Sequence, residues 1–405
     1  MAAPEFWHAY IRAGPIVLER PVGMTDPALV NSSNWLDPPY NRVGFIRVSE
    51  LARTQPISRG TGPVAELHRA ERSLDSFAFE FEGGPVSLSA MLEETYTDAL
   101  LVIHDGSVIF EHYAGAMTAD STHLLMSVSK SITSTLCGIY VHRGLLDPDD
   151  LVVDHVHALR DTSWEGCTIQ HLLDMRTGTR WSYDLDEVDT LDVSDYRTSD
   201  RTDLPPDTAS WIRIIEKSQP HGGAFRYISL ANNVLGWILE TVGGDRFHVL
   251  ASREIWSRIG AERDAEILVD ASGFSVVEGG MCATLRDLGR FGQTCLQGGT
   301  AGGKEVIPAE WLARLHVVDR NLIDAFCGAP EYDATVPDAF YHDNWWVEDA
   351  EAGIYSGLGV NGQTLLIHHP TRSVVVKLSS QPGFEDSRMW ALQRAGLRAL
   401  CASLD

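Results

Sequence analysis

The sequence predicts an α+β fold in which an antiparallel sheet is flanked by helices and a mostly α-helical domain is inserted between the early and late strands. Three observations predict it. Two strand-like runs flank a tight turn near residue 105, helical patterns dominate from about residue 150 to 275, and further strand-like runs precede a final amphipathic helix. Because a sheet and its helices must bury their apolar faces against each other, we expect both ends of the chain to complete one sheet.

The pattern divides the 405 residues into three parts. Residues 1–95 are rich in Pro, Gly and Arg, which predicts an irregular segment that wraps around the rest. Residues 96–145 and 276–405 form the predicted sheet domain, and residues 146–275 form the predicted helical domain. A chain of this length exceeds what one hydrophobic core usually supports, so packed subdomains are expected.

Composition and charge exclude several classes of partner. The formal net charge of -24 disfavours binding to nucleic acid or to anionic lipid. No apolar run reaches the length that spans a membrane, and the start of the chain lacks the basic flank and apolar stretch of a secretory signal, so we expect a cytoplasmic protein. The six cysteines and the histidines show no metal-ligand spacing, and we expect neither a metal nor a cofactor.

The first element with a clear signal is a hairpin in the segment ALLVIHDGSVIFEHY. Apolar runs stand on both sides of Asp105-Gly106, a dipeptide that favours the positive φ angles of a two-residue hairpin turn. The segment therefore predicts two antiparallel strands.

A helix is predicted next, in SVSKSITSTLCGIYVHRGLL, where Val128, Ile132 and Leu136 recur at helical spacing. Ser127 then lies at or near the helix start, and Lys130 follows it on the same helix face. An amine can activate a serine hydroxyl if its pKa falls from the usual value of about 10.4, and the free N–H groups of a helix start suit an oxyanion. The alternative is an ordinary Ser and Lys on a helix surface.

Tyr227 is the second candidate for chemistry. It stands with Ser229 in FRYISLANNVLGWILE, just before an apolar helical pattern. A phenol oxygen beside a lysine can take a proton from serine and return it to a leaving group. The alternative is a core tyrosine that precedes a helix. Together with Ser127 and Lys130, the catalytic interpretation is favoured.

Six motifs carry a resemblance to a known family: LLMSVSKS, FRYIS followed by AN, GGMCATLRDLGRFG, NWWV, SGLGVNGQ and SVVVKLSS. In this order, over about residues 99–381, they resemble the 6-aminohexanoate-dimer (nylon oligomer) hydrolases. Those enzymes belong with class C β-lactamases, DD-peptidases and related esterases, the penicillin-recognising serine enzymes. The resemblance implies a β-lactamase/transpeptidase-like fold.

The resemblance also implies roles for particular residues. Ser127 would be acylated, Lys130 and Tyr227 would move protons, and the backbone N–H groups of Ser127 and Val360 would form the oxyanion hole. Residues implied at the substrate pocket are Trp346, Ser229, Tyr183, Glu278 and Asn361.

The sequence also departs from the family's pattern. The tyrosine and aspartate that hold the amide substrate fall on Leu185 and Tyr196, with Tyr183 or Asp195 as substitutes. Glu278 replaces an asparagine, and Asn361 replaces a histidine. The third motif, residues 357–359, lacks the cationic side chain that holds a β-lactam carboxylate, which predicts poor β-lactam hydrolysis.

The predicted function is a serine carboxylesterase or amidase that cleaves small esters first and linear amides second through an acyl-enzyme on Ser127. A neutral or cationic small molecule is the expected partner, and a homodimer stays open. Two alternatives remain at this point: an acyltransferase of the same fold, and a non-catalytic ligand-binding protein.

Overall fold

The computed structural model describes residues 26–181, 186, 188–384 and 386–404. Its helices are α1 (Asn41–Gly44), α2 (Val48–Leu51), α3 (Leu88–Glu94), α4 (Val128–His142), α5 (Val152–His155), α6 (Ile169–Leu173), α7 (Val188–Val193), α8 (Thr208–Ile214), α9 (Ser229–Gly243), α10 (Phe247–Ala251), α11 (Leu285–Leu296), α12 (Ala309–Ala313), α13 (Arg320–Phe326) and α14 (Ser387–Ala402).

The strands are β1 (Thr54–Ile57), β2 (His68–Arg69), β3 (Ala78–Phe81), β4 (Gly84–Ser87), β5 (Thr97–His104), β6 (Ser107–Tyr113), β7 (Thr122–Leu124), β8 (Ala265–Leu268), β9 (Met281–Thr284), β10 (Thr300–Ala301), β11 (Lys304–Glu305), β12 (Phe340–His342), β13 (Trp345–Asp349), β14 (Ile354–Gly359), β15 (Gln363–His368) and β16 (Ser373–Ser379). Within the described ranges, no helix is long and apolar enough to cross a membrane.

The main sheet has eight strands in the order β12-β13-β14-β15-β16-β5-β6-β2, and only the short β2 pairs in parallel with its neighbour. Early and late parts of the chain meet where β5 pairs with β16. The predicted α+β fold, with its sheet completed by both parts of the chain, is confirmed.

Strand β5 shows why its sequence is apolar without interruption. Ala99, Leu101 and Ile103 belong to the large core beneath α11, whereas Leu100 and Val102 belong to a second core beneath α3 and α14. Side chains alternate between the two faces of a strand, so a sheet covered by helices on both faces needs apolar residues at every position.

The hairpin between β5 and β6 turns at Asp105 and Gly106, whose φ angles of 47° and 73° are both positive. This is the two-residue turn with the twist that antiparallel strands prefer. The hairpin prediction is confirmed.

A second sheet, in the order β1-β8-β9-β7, was not foreseen from the sequence. Its strand β8 lies inside the range predicted to be helical, and its strand β7 leads directly to Ser127. The described part of the N-terminal segment packs beside it: Trp35 and Phe45 share a core with Met126, which precedes Ser127. Trp35 and Phe45 therefore support the chain at the start of α4.

Helix α4 is buried on nearly all sides, although its sequence contains several hydroxyl residues. Thr133 and Thr135 donate to the carbonyls of Ser129 and Ser131, four residues back, at 3.0 Å each. Ser131 Oγ donates to the carbonyl of Asn344 at 2.8 Å. Because these three hydroxyls have acceptors, the helix can lie inside the molecule at a lower cost.

Charged groups join the end of α6 to the strands β12 and β13. His342 Nδ1 lies 2.8 Å from Asp174 Oδ1, and Arg314 donates to Asp343 at 2.6 and 3.1 Å. Asp174, His342 and Asp343 are close enough together to resemble a metal site. The Arg314 guanidinium already neutralises Asp343, however, so we interpret the group as an ion-pair network.

This network predicts a pH-dependent contribution to stability. Burial lowers the pKa of His342, but Asp343 and Asp174 outweigh burial and raise it to about 9. The folded pKa lies above the unfolded value of about 6.5, so the stabilisation is complete below pH 6.5 and is lost as the pH rises through 9. We expect His342→Gln to lower the free energy of unfolding by about 1–3 kcal/mol in slightly acidic buffer. Urea titrations of the wild type and of this variant, from slightly acidic pH to above pH 9, measure the difference in the free energy of unfolding. A difference that does not shrink above pH 9 would contradict the prediction.

Candidate active site

The structure brings Ser127 and Lys130 into direct contact at the start of α4. Lys130 Nζ donates a hydrogen bond to Ser127 Oγ at 2.8 Å and a second, short one to the carbonyl oxygen of Glu278. The lysine side chain is 1% exposed. Three residues of helix place the two groups on one face, so local geometry alone aims the amine at the hydroxyl.

Tyr227 lies on the other side of the same lysine. Lys130 Nζ is 5.0 Å from the centre of the Tyr227 ring, and that ring stacks on Trp346 at 5.6 Å between centroids. A backbone hydrogen bond holds the segment before α9: the N–H of Phe225 donates to the carbonyl of Ala325 at 3.1 Å. Serine, lysine and tyrosine, which lie up to a hundred residues apart in the sequence, thus form one group.

Buried asparagines hold the carbonyl of Glu278 against Lys130. Asn233 Oδ1 accepts from the backbone N–H of Glu278 at 3.1 Å, and Asn232 Nδ2 donates to the carbonyl of Val277 at 2.9 Å. Asn344 Nδ2 donates to Asn232 Oδ1 at 2.6 Å. Sequence reasoning missed these three asparagines, although paired asparagines inside the apolar pattern of α9 were a usable signal.

Glu278 itself is 4% exposed, and Ser229, the first residue of α9, is 3% exposed. The backbone carbonyl of Glu278 contacts Lys130, and Ser229 lies two residues after Tyr227 in the chain. Direct contact of either side chain with a substrate stays a prediction.

The end of β14 runs against the backbone of Ser127. A Cβ atom added at Gly359 would lie 2.9 Å from the backbone nitrogen of Ser127 and 2.7 Å from the carbonyl oxygen of Leu125, so only glycine fits. Val360 is the next residue in the chain, and its predicted place in an oxyanion hole with Ser127 stays a prediction. Met126 has a φ of 47°, an uncommon conformation for a residue with a side chain. The backbone immediately before Ser127 is thus held in a strained form.

Asn361 shapes the turn after Val360. Its φ is 60°, and its side-chain amide donates to the carbonyls of Gln381 at 2.8 Å and Gly383 at 3.2 Å. The residue is 2% exposed. These contacts show a side chain that fixes the turn; its predicted contact with a substrate stays untested.

Trp346 belongs to an aromatic wall beside Tyr227. Its ring lies 5.0 Å from that of Tyr341 and 6.1 Å from those of Phe225 and Phe326, between centroids. Trp346 is partly exposed, whereas Tyr341 is buried. The wall therefore offers apolar surface close to the serine.

The loop predicted to hold an amide substrate contains Tyr183, Leu185, Asp195 and Tyr196. Tyr183 and Leu185 lie outside the described residues. Tyr196 is buried, and its hydroxyl would lie 2.6 Å from a Cβ atom at Gly279, next to Glu278. Asp195 lines a groove that also contains Arg53, and burial raises the pKa of its carboxyl.

Comparisons with known proteins show the family to which the chain belongs. The family model described as Beta-lactamase matches residues 90–398. The chain is 34% identical over 375 residues to the 6-aminohexanoate-dimer hydrolase of Paenarthrobacter ureafaciens, across 90% of this chain and 91% of that protein. A candidate 6-aminohexanoate-dimer hydrolase from Bacillus anthracis has a similar structure, with a TM-score of 0.87 and 25% identity over 94% of this chain and 99% of that one.

A third structure, EstCE1, a hydrolase with promiscuous acyltransferase activity, has a TM-score of 0.59 and 17% identity over 78% of this chain and 98% of that one. That likeness concerns the fold alone. Taken together, the fold and the matched relatives define a serine hydrolase with a β-lactamase/transpeptidase-like architecture. The chain belongs to the β-lactamase family, and its relatives include 6-aminohexanoate-dimer hydrolases.

The close approach of β14 predicts the effect of one added methyl group. Gly359→Ala would push the strand away from Ser127, and since a shift of about 1 Å can cost 10²-fold in rate, we expect kcat/KM to fall by about that factor. Gly328→Ala is the matched control, because a Cβ atom there meets nothing within 4 Å. Steady-state kinetics with a p-nitrophenyl ester compare the two variants. Equal activity in both would show that this contact does not matter.

Proposed function

We propose that this serine hydrolase cleaves small carboxylic esters, and linear amides more slowly, through an acyl-enzyme on Ser127. The observation that carries the proposal is the 2.8 Å contact between Lys130 Nζ and Ser127 Oγ. A serine hydroxyl becomes a nucleophile when a base lies within hydrogen-bond distance, and a buried amine on the same helix turn meets that condition.

In the proposed reaction, Ser127 Oγ attacks the ester carbonyl carbon and its proton passes to the neutral amine of Lys130. The N–H groups of Ser127 and Val360 receive the negative charge that develops on the carbonyl oxygen. The tetrahedral intermediate then expels the alcohol, which takes a proton by way of Tyr227. Water then attacks the acyl carbonyl carbon and gives up a proton to Lys130 by way of Tyr227. The second tetrahedral intermediate expels Ser127 Oγ, which takes that proton back from Lys130, and the acid is released.

The surroundings of the site favour an uncharged, partly apolar substrate. Trp346, which packs on the buried Phe225 and Phe326, offers apolar surface beside Tyr227. Residues 357–359 (Gly-Leu-Gly) supply no cation for a carboxylate, which argues against efficient β-lactam hydrolysis. An ester needs less help for its leaving group than an amide does, so esters are placed first.

Linear amides are the second candidate because the relative from Paenarthrobacter ureafaciens is a 6-aminohexanoate-dimer hydrolase. Leu185 and Tyr196 stand where that family holds its amide substrate, and Tyr183 is the substitute we propose. Glu278, Ser229 and Asn361 complete the proposed pocket.

Transfer of the acyl group to an acceptor other than water remains open, and so does a homodimer. We place the enzyme in the cytoplasm.

Hydrolysis of p-nitrophenyl acetate and butyrate, beside 6-aminohexanoate dimer, tests the proposal. Ester turnover should disappear in Ser127→Ala, and Lys130→Ala and Tyr227→Phe should each lower kcat by at least ~10²-fold, as loss of an acid or base does. Dimer cleavage should be slower than ester cleavage. Ester turnover that survives Ser127→Ala would refute the mechanism, and faster dimer cleavage would reverse the order of substrates.

A further inference from the structure

A buried polar cluster lies on the face of the main sheet that α14 covers. It consists of Lys377 and Ser379 on β16, Gln363 on β15, Gln381 just after β16, and Gln393 on α14. Each of these residues is at most 1% exposed. Lys377 Nζ donates to Gln393 Oε1 at 2.7 Å and makes a short hydrogen bond to Ser379 Oγ.

A lysine at this place is costly. Burial lowers the pKa of Lys377 to about 7, although the more distant Asp98 acts in the opposite direction. Asp98 is itself bound by Arg42 at 3.0 Å and lies 3.3 Å from His123. Among the described residues, no carboxylate forms an ion pair with Lys377. An apolar side chain of similar volume would fill such a site at a lower cost in free energy of folding. The polar cluster is therefore expected to have a role other than stability.

The first connection from Lys377 to the active site runs through Ser379 and Gln363. The Gln363 side chain clamps the backbone of Ser379: Nε2 donates to its carbonyl at 2.6 Å, and Oε1 accepts from its N–H at 3.0 Å. The same Nε2 lies 3.3 Å from the carbonyl oxygen of Val360. Three hydrogen bonds in series therefore join the Lys377 amine, through Ser379 and Gln363, to the turn that begins at Val360.

The second connection runs through two glutamines. Gln381 Nε2 lies 3.4 Å from the Gln393 Oε1 that Lys377 also contacts. The backbone N–H of Gln381 donates to the carbonyl of Asn361 at 3.1 Å. Because Asn361 directly follows Val360, both connections end on the same turn.

We propose that Lys377 and Gln363 are positioning residues for the oxyanion hole, which hold the Val360 turn so that its N–H stays beside that of Ser127. This role rests on the proposed function, in which those two N–H groups bind the oxyanion. Neither side chain touches the reacting atoms. A donor fixed in advance stabilises the transition state without reorganising, and a loosened donor loses part of that effect.

The test compares Lys377→Met and Gln363→Met with wild type. We expect kcat for p-nitrophenyl butyrate to fall by about 10-fold in each, less than the 10²–10³ that loss of a whole oxyanion donor costs, with KM nearly unchanged. Rates are expressed per site that reacts with a fluorophosphonate, so unfolded protein does not enter the comparison. Affinity for a boronic acid, whose serine adduct is tetrahedral, should fall by the same factor as kcat.

Thr95→Val is the matched control, because it also removes a buried hydroxyl beside the cluster. Thr95 Oγ1 donates to the carbonyl of Met91 at 2.7 Å and lies 3.2 Å from Thr97 Oγ1, whereas Lys377 Nζ contacts only the backbone carbonyl of Thr95, at 3.5 Å. The substitution therefore removes the hydroxyl and keeps the carbonyl that Lys377 contacts. This variant should lose stability and keep the wild-type kcat per labelled site.

Three results would overturn the proposal in distinguishable ways. Wild-type kcat and boronic acid affinity in a labelled Lys377→Met or Gln363→Met protein would remove the positioning role of that residue and leave the hydrolase function intact. An equal loss of kcat in Thr95→Val would reduce the effect to general destabilisation. Absence of Ser127-dependent labelling in the wild type would overturn the proposed function and this role with it.

Discussion

The hydrogen bond between Lys130 Nζ and Ser127 Oγ depends on burying a lysine at the start of a helix that is itself buried. The amine needs acceptors there, and the carbonyl of Glu278 supplies one besides the serine. That carbonyl is in place because Asn233 Oδ1 accepts a hydrogen bond from the backbone N–H of Glu278. The helix can lie inside the molecule because Thr133 and Thr135 donate to carbonyls of their own helix and Ser131 donates to that of Asn344, just before β13. The hydrogen bonds of α4, of Asn233 and of the Glu278 segment thus provide the surroundings that the buried Lys130 requires.

The second constraint is the distance between the two sheets. The smaller sheet, through β7, fixes the chain just before Ser127, and the main sheet, through the end of β14, brings Gly359 beside it. Glycine at position 359 lets the two backbones approach. The N-terminal segment closes this junction, because Trp35 and Phe45 pack in one core with Met126 and with the partly buried Val360.

The elements that could be predicted from sequence are those whose cause is local. The Asp105-Gly106 turn carries its own conformational preference, and helix α4 shows its period within fifteen residues. The Ser127 and Lys130 pair is also local. Tyr227 could be joined to them by the chemistry of a phenol beside a lysine and by resemblance, but nothing in the chain between positions 130 and 227 signals the contact itself.

What could not be predicted depends on partners distant in sequence. The four short strands of the second sheet come from three separate parts of the chain, and none has a pattern strong enough to identify alone. The Lys377 cluster was invisible for the same reason: a lysine in an apolar strand shows no partner until Gln363 and Gln393 are folded against it. Asn361 could be placed in the pocket by resemblance, but its contacts with Gln381 and Gly383 required the structure.

The central claim is that Ser127 carries the acyl group during turnover. Rapid quenching of the enzyme with p-nitrophenyl butyrate, followed by mass spectrometry of the intact protein and of its peptides, measures this directly. The account predicts one butyryl group per chain, on the peptide that contains Ser127, formed before the steady state. Ester turnover with no covalent intermediate, or with the acyl group on another residue, would contradict it.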